Sequence, residues 1–432
     1  MSLMRIDEIF SFEKGVLQST KCVPGEYDFI TASSDWKTHN EYTHDCEALI
    51  FAAAASGSLG RTHYVNGKFV SSDLCFIITP KDQENLPVDL KFYHILFNEL
   101  KDEIVRNTKA GTSKEAIGLG SFGRYELPYF DIETQIEIKN HFVKSEEIKS
   151  SITNELNQQI DLVKNLRQQL LQDAVQGKLV EQNKKDEPAN KLLTKIKAEK
   201  EKLIDEKKLK KEKELAPIDT TEISFEIPDN WVLCRLGDIS TLITDGKHGD
   251  AIAQPNSGYY FLSAKDVQNG KLQYDNARQI TYEDFFETHR RTNLEAGDLC
   301  IVNTGATIGK TALVDNSELT PKTTFQKSVA VIKVLNQFTN MKYVEYFMIN
   351  ETPKLLKTSK GSAINNLLLG DMKNVLFPMP PLSEQSRIVQ KLDELMQYCN
   401  KLEASIKQSE SQNEKLLQQV LREALRKEPV EA

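Results

Sequence analysis

The chain contains itself twice. Sliding the sequence by 250 positions lays KAGTSKEAIGLGSFGRYELPYFDIETQIEI, from Lys109, onto SKGSAINNLLLGDMKNVLFPMPPLSEQSRI, from Ser359. Gly111 meets Gly361, Leu119-Gly120 meets Leu369-Gly370, Pro128 meets Pro378, Gln135 meets Gln385 and Ile138 meets Ile388. At the same offset LRQQLLQDAV, from Leu166, meets LLQQVLREAL, from Leu416. Upstream the match continues with small shifts. ALIFAAAASGSLGRTHYV at Ala48 pairs with DLCIVNTGATIGKTALV at Asp298, and MRIDEIF at Met4 with CRLGDIS at Cys234. Glycines and prolines agree as well as apolar residues, so the likeness is more than two similar helices. Two copies of one unit imply two equivalent binding sites or one pseudo-symmetric molecule.

Each copy has the same order of parts. Short apolar runs (ALIFAAAA and DLCFIIT, then DLCIVNT and SVAVIKV) broken by turn residues predict a β-rich module. A proline element follows, ELPYF in one copy and FPMPP in the other. A long helix comes last. In the second copy Ile388, Leu392, Leu395, Cys399, Leu402 and Ile406 alternate steps of four and three, the spacing of a heptad seam. In the first copy Ile138, Phe142, Ile152, Leu156, Val163, Leu166 and Leu170 form the stripe, with polar interruptions at Ser145, Lys149 and Gln159. A helix from about Thr134 to Leu179 would be roughly 70 Å long at 1.5 Å per residue. A stripe of that length needs a partner, and its own repeat is the obvious one. The expected fold class is therefore α+β: two β-rich domains in a pseudo-two-fold repeat, separated by two long antiparallel helices that act as a coiled-coil spacer. Between the copies a Lys/Glu-rich stretch from Glu181 reads as a solvated linker helix, opened by Pro188 and ended by Ala216-Pro217.

Several chemistries are excluded. The six cysteines are far apart with no C-x-x-C, which argues against a disulfide framework or a zinc site. The stretch HNEYTHDC holds His39, His44, Asp45 and Cys46, but it matches no zinc spacing and reads as a surface loop. Gly118 to Gly123 fits G-x-G-x-x-G, yet ELPYF follows and Pro128 forbids an immediate helix. Gly305 to Thr311 has three residues between its glycines where a phosphate-binding loop has four, so it reads as a β-turn presenting one basic side chain. No HExxH, G-x-S-x-G, kinase signature or Asn/Asp-Pro-Pro-aromatic motif occurs, so no catalytic, metal or cofactor site is expected. No apolar run is long enough for a membrane span and the start is not a secretory signal, which predicts a cytoplasmic protein. The formal net charge is −8. That argues against general stickiness to nucleic acid and leaves a local basic cleft open.

Three stretches carry a family resemblance. LRQQLLQDAVQGKLVEQNKKDEPANKLLTKIKAEKEKLI, from Leu166, resembles the central conserved region of Type I restriction-modification specificity subunits. IPDNWVLCRLGDI, from Ile227, is similar to the entry of their second recognition domain, and PMPPLSEQSRIVQKLDEL, from Pro378, to the start of their second conserved helix. The first copy lacks an IPDNW-like entry, so the left boundary of its domain stays open. The resemblance implies a non-catalytic reader of a bipartite double-stranded DNA target. It implies a first target-recognition domain over 1–133, a central conserved helical region and linker over 134–226, a second recognition domain over 227–382 and a C-terminal conserved helix over 383–432. The helices would bind two methyltransferase (modification) subunits, with restriction/translocase subunits completing the complex. S-adenosylmethionine, ATP and Mg would belong to those partners.

Candidate DNA contacts lie in the recurring turns: Ser58, Arg61, Lys109, Thr112 and Lys114 in the first copy, and Thr307, Lys310, Lys360, Ser362 and Asn365 in the second. Lys37, Lys247, His248, Lys265 and Lys322 sit in other polar loops. The alternative of a self-contained methyltransferase or nuclease would need catalytic motifs that this sequence lacks. A coiled-coil protein unrelated to DNA would not explain the duplicated β modules.

Overall fold

The computed structural model describes residues 2–54, 57–110, 116–219, 225–358 and 366–426. The chain divides into two compact units, Met1–Asn157 with Lys407–Ala432, and Gln158–Ile406, so both divisions fall inside the long helices. Those helices run over Ile132–Val175 and Leu382–Arg426. Among the described residues no helix is long and apolar enough to cross a membrane.

Module one is built on a six-stranded sheet. Its order is Phe10–Lys14, Cys75–Pro80, His44–Ala52, Thr62–Ser71, Tyr27–Ile30 and Lys37–His39. Neighbours are antiparallel except Tyr27–Ile30, which runs parallel to Thr62–Ser71. Module two has Ser240–Asp245, Val329–Val334, Leu299–Val302 and Thr311–Leu313 in the equivalent order, all antiparallel. The long strand Thr62–Ser71 of module one is split here into Thr311–Leu313 and Thr323–Phe325, and Thr323–Phe325 forms the parallel pair, with Tyr260–Leu262. Central strands such as Leu299–Val302 are buried on both faces, which their unbroken apolar run LCIV anticipates.

The repeat is legible in bonds as well as strands. Ser2–Arg5 pairs with Glu126–Tyr129, and Val232–Arg235 with Leu376–Met379, both antiparallel, with Pro128 opposite Leu3 and Pro378 opposite Leu233. Each edge pair ties the start of a module to the segment that enters its long helix. The aligned glutamines close the same joint in both copies. Gln135 Oε1 accepts the Asp89 N–H at 2.8 Å, and its amide donates to the Pro87 and Phe130 carbonyls. Gln385 Oε1 accepts the Asn340 N–H at 2.8 Å, and its amide donates to the Pro380 carbonyl. Both side chains are fully buried, so these bonds satisfy groups that water cannot reach.

The predicted seam needs correction. Ile138 packs into the core of module one, and Ile388 and Leu392 into the core of module two, so the first turns of each helix serve their own module. In unit two the helices then meet through Leu170, Leu171, Ala174 and Val175, in the same core as Ile388, Leu392 and Met396. Val163 and Cys399 are buried, Leu395 and Ile406 half-buried. Leu166 and Leu402, expected in the seam, are 44% and 49% exposed. A straight α-helix drifts about 20° per heptad from a 3.5-residue repeat, so a stripe read at that spacing turns away from a partner over several turns. At that level an ion pair takes the place of apolar contact: Arg167 reaches Glu403 at 2.7 Å and Asn400 at 2.8 Å. In unit one Phe142, Ile152 and Leu156 are half-buried. Phe142 lines an open groove of about 850 Å³ with Trp36, Tyr64 and Ile95.

Two further readings change. In HNEYTHDC only residues 40–43 form the expected surface loop, between two strand ends: His39 is buried and its Nδ1 accepts the Val23 N–H at 3.0 Å, and His44 Nε2 meets Glu13 at 2.8 Å. The G-x-G-x-x-G stretch does form a helix, but only Leu119–Gly123, running straight into strand Glu126–Tyr129. The linker helix covers Ala189–Asp205 and is partly anchored, because Leu192 and Ile196 are buried in the core of unit two and Lys200 Nζ donates to the Gly237 and Asp238 carbonyls.

Candidate nucleic-acid interface

In each module a single short turn gathers the loops around it. In module one it is Ser72-Asp73-Leu74. The Ser72 N–H donates to the Ile30 carbonyl, the Asp73 N–H to Leu17, and the Leu74 carbonyl accepts from Ala53. In module two it is Gln326-Lys327-Ser328. The Gln326 N–H donates to the Leu262 carbonyl, the Lys327 N–H to Lys247, and the Ser328 carbonyl accepts from Asn303. The bonds match one for one, so Asp73 and Lys327 are equivalent positions.

A glycine makes each cluster close-packed. A Cβ on Gly15 would lie 2.1 Å from the Ser72 carbonyl oxygen, and one on Gly246 2.0 Å from that of Phe325. Neither backbone oxygen can yield, so only glycine permits the approach. Gly246→Ala is expected to cost about 1–3 kcal/mol by overpacking and to displace the Lys247 loop. A melting temperature equal to that of the parent chain would refute the close approach.

The turns singled out from the sequence enter the same clusters at equivalent places. In module one the Gly60 N–H donates to Ala52, the Ala52 N–H to Arg61 and the Arg61 N–H to Ser58. In module two the Gly309 N–H donates to Val302, the Val302 N–H to Lys310 and the Lys310 N–H to Thr307. Gly60 and Gly309 have φ of +80° and +89°, which explains why the two glycines coincide. Residues 303–310 are thus a hairpin turn between two strands and lack the helix a phosphate-binding loop requires. The second recurring turn docks beside the first: the Ile117 N–H donates to Ala53, and the Leu367 N–H to Asn303. Lys109 opens the small pair Lys109–Ala110 with Ala116–Ile117. Thr112, Lys114, Lys360, Ser362 and Asn365 lie outside the described residues.

The candidates differ in what their side chains do. Lys310, Lys265, Lys322 and Lys37 are exposed, and Thr307 and Ser58 half-buried. Lys265 enters module two's cluster through its neighbour, since the Ala264 N–H donates to Ser328 Oγ at 3.2 Å. Arg61 is committed within the protein: its guanidinium donates to the Ala32 carbonyl at 3.3 Å and to Ser58 Oγ at 3.4 Å. Lys247 is committed too. It is held between Asp284 and Glu287, the latter at 3.2 Å, and the hydrogen bond to Asp284 raises its pKa. Asp284 is held below the usual carboxylate range by the Ile252 N–H and then by Lys247. His248 meets Asp245 at 2.8 Å, and Arg291 meets the same carboxylate at 2.9 Å. Sequence reasoning missed Lys327, and also Trp36, whose indole N–H donates to His63 Nδ1 at 3.3 Å beside the Arg61-braced loop.

Comparison with known proteins agrees with this duplicated design. The model of the Type I restriction modification DNA specificity domain matches residues 1–162 and 228–409. Over 253 residues, 56% of the chain, the sequence is 34% identical to the Type I restriction enzyme EcoAI specificity subunit of Escherichia coli. Over 254 residues it is 26% identical to the EcoEI specificity subunit of the same organism. The matched stretches span only 41% and 42% of those relatives' lengths. Among solved structures, the fold is similar to a chain from work on complex assembly and conformational transition of the type I R-M system, with TM-score 0.58, 16% identity and 98% and 97% of the two chains covered. It is also similar to the HsdS subunit from Thermoanaerobacter tengcongensis, with TM-score 0.50, 16% identity and 98% and 96% covered.

Proposed function

The chain belongs to the family of the Type I restriction modification DNA specificity domain, and we propose that it is the non-catalytic subunit that reads a bipartite double-stranded DNA target for a restriction-modification complex. The observation that carries this reading is the pair of loop clusters, matched bond for bond, one in each module. Two equivalent surfaces suit two half-sites of one interrupted sequence. Modules 1–133 and 227–382 are the recognition domains. The helical regions 134–226 and 383–432 set the gap and dock two methyltransferase subunits, with restriction/translocase subunits added to them. Half-sites read from one face of DNA must be separated in step with its helical repeat, so a rigid spacer limits which gaps are accepted.

At each module exposed lysines position the phosphate backbone, and short polar side chains of the turns reach base edges. Thr307 and Ser58 suit the second task and Lys310 and Lys265 the first. Adenine methylation and DNA translocation belong to the partners, which bring S-adenosylmethionine, ATP and Mg. The complex works in the cytoplasm, where the host DNA lies.

Lys310 tests the assignment of this face. Lys310→Ala is expected to weaken binding to every DNA sequence and to reduce the slope of log affinity against log salt by about 0.9, the value for one phosphate contact. An unchanged slope would remove Lys310 from the interface.

A further inference from the structure

The two clusters share their backbone bonds and differ in charge. Ser328 is the node of module two: its carbonyl and hydroxyl hold the loops that carry Lys310 and Lys265, and its neighbour is Lys327. All three lysines are exposed. At the corresponding places module one has Arg61, Ser33 and Asp73. Arg61 spends its guanidinium on Ala32 and Ser58. Ser33 lies three residues beyond Ile30, as Lys265 lies three beyond Leu262, and is hydrogen-bonded to Thr31 at 2.7 Å. Asp73 places a carboxylate where module two has an ammonium.

Resting on the reading above, we propose that Lys327 is a phosphate-contacting residue of module two with no counterpart in module one. Module two therefore carries the larger share of the salt-dependent affinity for duplex DNA. The backbone N–H of Lys327 is bonded to Lys247, and both neighbouring residues are bonded to other loops, so its Cα is fixed while its side chain extends to solvent. That is a pre-placed charge, and each neutralised phosphate releases counterions from DNA. Module one, with Asp73 at the node, draws its phosphate contacts from other positions, such as the exposed Lys37.

The test uses the full chain and a 30-base-pair duplex of random sequence, titrated from 50 to 200 mM salt. Lys327→Ala is expected to lower the log–log slope by about 0.9, with an unchanged melting temperature because the side chain is exposed. Asp73→Lys, which installs the missing charge in module one, is expected to raise the slope by a similar amount. If Lys310→Ala lowers the slope and Lys327→Ala leaves it unchanged, the inference is wrong and the DNA face stands. If neither variant moves the slope, the face itself is misassigned and the inference falls with it. If Asp73→Lys leaves the slope unchanged while Lys327→Ala lowers it, module one does not present that position to phosphate, and the claim of equivalent nodes on DNA is overturned.

Discussion

Phe122→Ala is expected to destabilise module one by about 3–5 kcal/mol, the range for emptying a buried phenylalanine site. Phe122 is fully buried and stands at the centre of an aromatic cluster. Its ring lies 4.6 Å from Phe51, 5.4 Å from Phe76, 5.5 Å from Phe12 and 6.0 Å from Phe97, centroid to centroid. These partners come from three strands and a helix, so no single neighbour can move to fill the space. The residue also sits on the one-turn helix before the edge strand that leads into the first long helix. Its loss should loosen the core and that joint together. Hydrogen exchange should accelerate in Cys75–Pro80 and His44–Ala52 while Leu299–Val302 keeps its protection. Met372, the aligned residue of module two, is equally buried, and Met372→Ala should show the converse pattern at about 2–5 kcal/mol. Uniform loss of protection in both modules after either change would contradict two separately cored repeats.

Lys333→Ala is expected to cost about 3–5 kcal/mol, because it strands a buried carboxylate. Lys333 meets Asp298 at 2.6 Å and Glu295 at 2.9 Å, and the side chains of Lys333 and Asp298 are 11% and 8% exposed. Burial already pushes the Asp298 pKa up against the pull of the lysine. Without that lysine the carboxylate has lost its ionic partner and keeps only the Glu295 N–H. Protonation then relieves the penalty. Asp298 has a raised folded pKa, so the deficit of the variant should be largest well above that pKa and shrink as pH falls through it. The double change Lys333→Met with Asp298→Asn should recover most of the loss, since it removes both charges. Urea unfolding of each variant at neutral and acid pH measures this. A single variant as stable as the parent at neutral pH would show that the pair contributes nothing.

The repeat, its matching glycines and the two long helices were legible because they depend on patterns that chain order preserves. Gly60 and Gly309 coincide because both occupy a left-handed position in the same hairpin turn. Gln135 and Gln385 aligned as well, but only the structure shows them closing a buried joint. Lys327 could not be paired with Asp73 from sequence. The offset between copies moves from 249 at Arg61 to 254 at Asp73, across a stretch where module two breaks one long strand into two. Nor could the fate of Lys247 be seen, because its acidic partners lie on a helix, Tyr282–Thr292, far along the chain. The exposed Leu166 and Leu402 mark the limit of heptad reading: on a straight helix a 3.5-residue stripe turns away from its partner over several turns.

The most direct test of the central claim is single-molecule sequencing of host DNA for N6-methyladenine, with the gene present and with it deleted. The account predicts one interrupted motif, two short half-sites around a gap of fixed length, methylated only when the gene is present. Two residues of one module should affect only one half: Lys310→Ala with Thr307→Ala should degrade methylation of targets through a single half-site while the gap stays constant. Full, unchanged methylation of every motif after deletion, in cells whose methyltransferase subunits still co-purify with this chain before deletion, would contradict it.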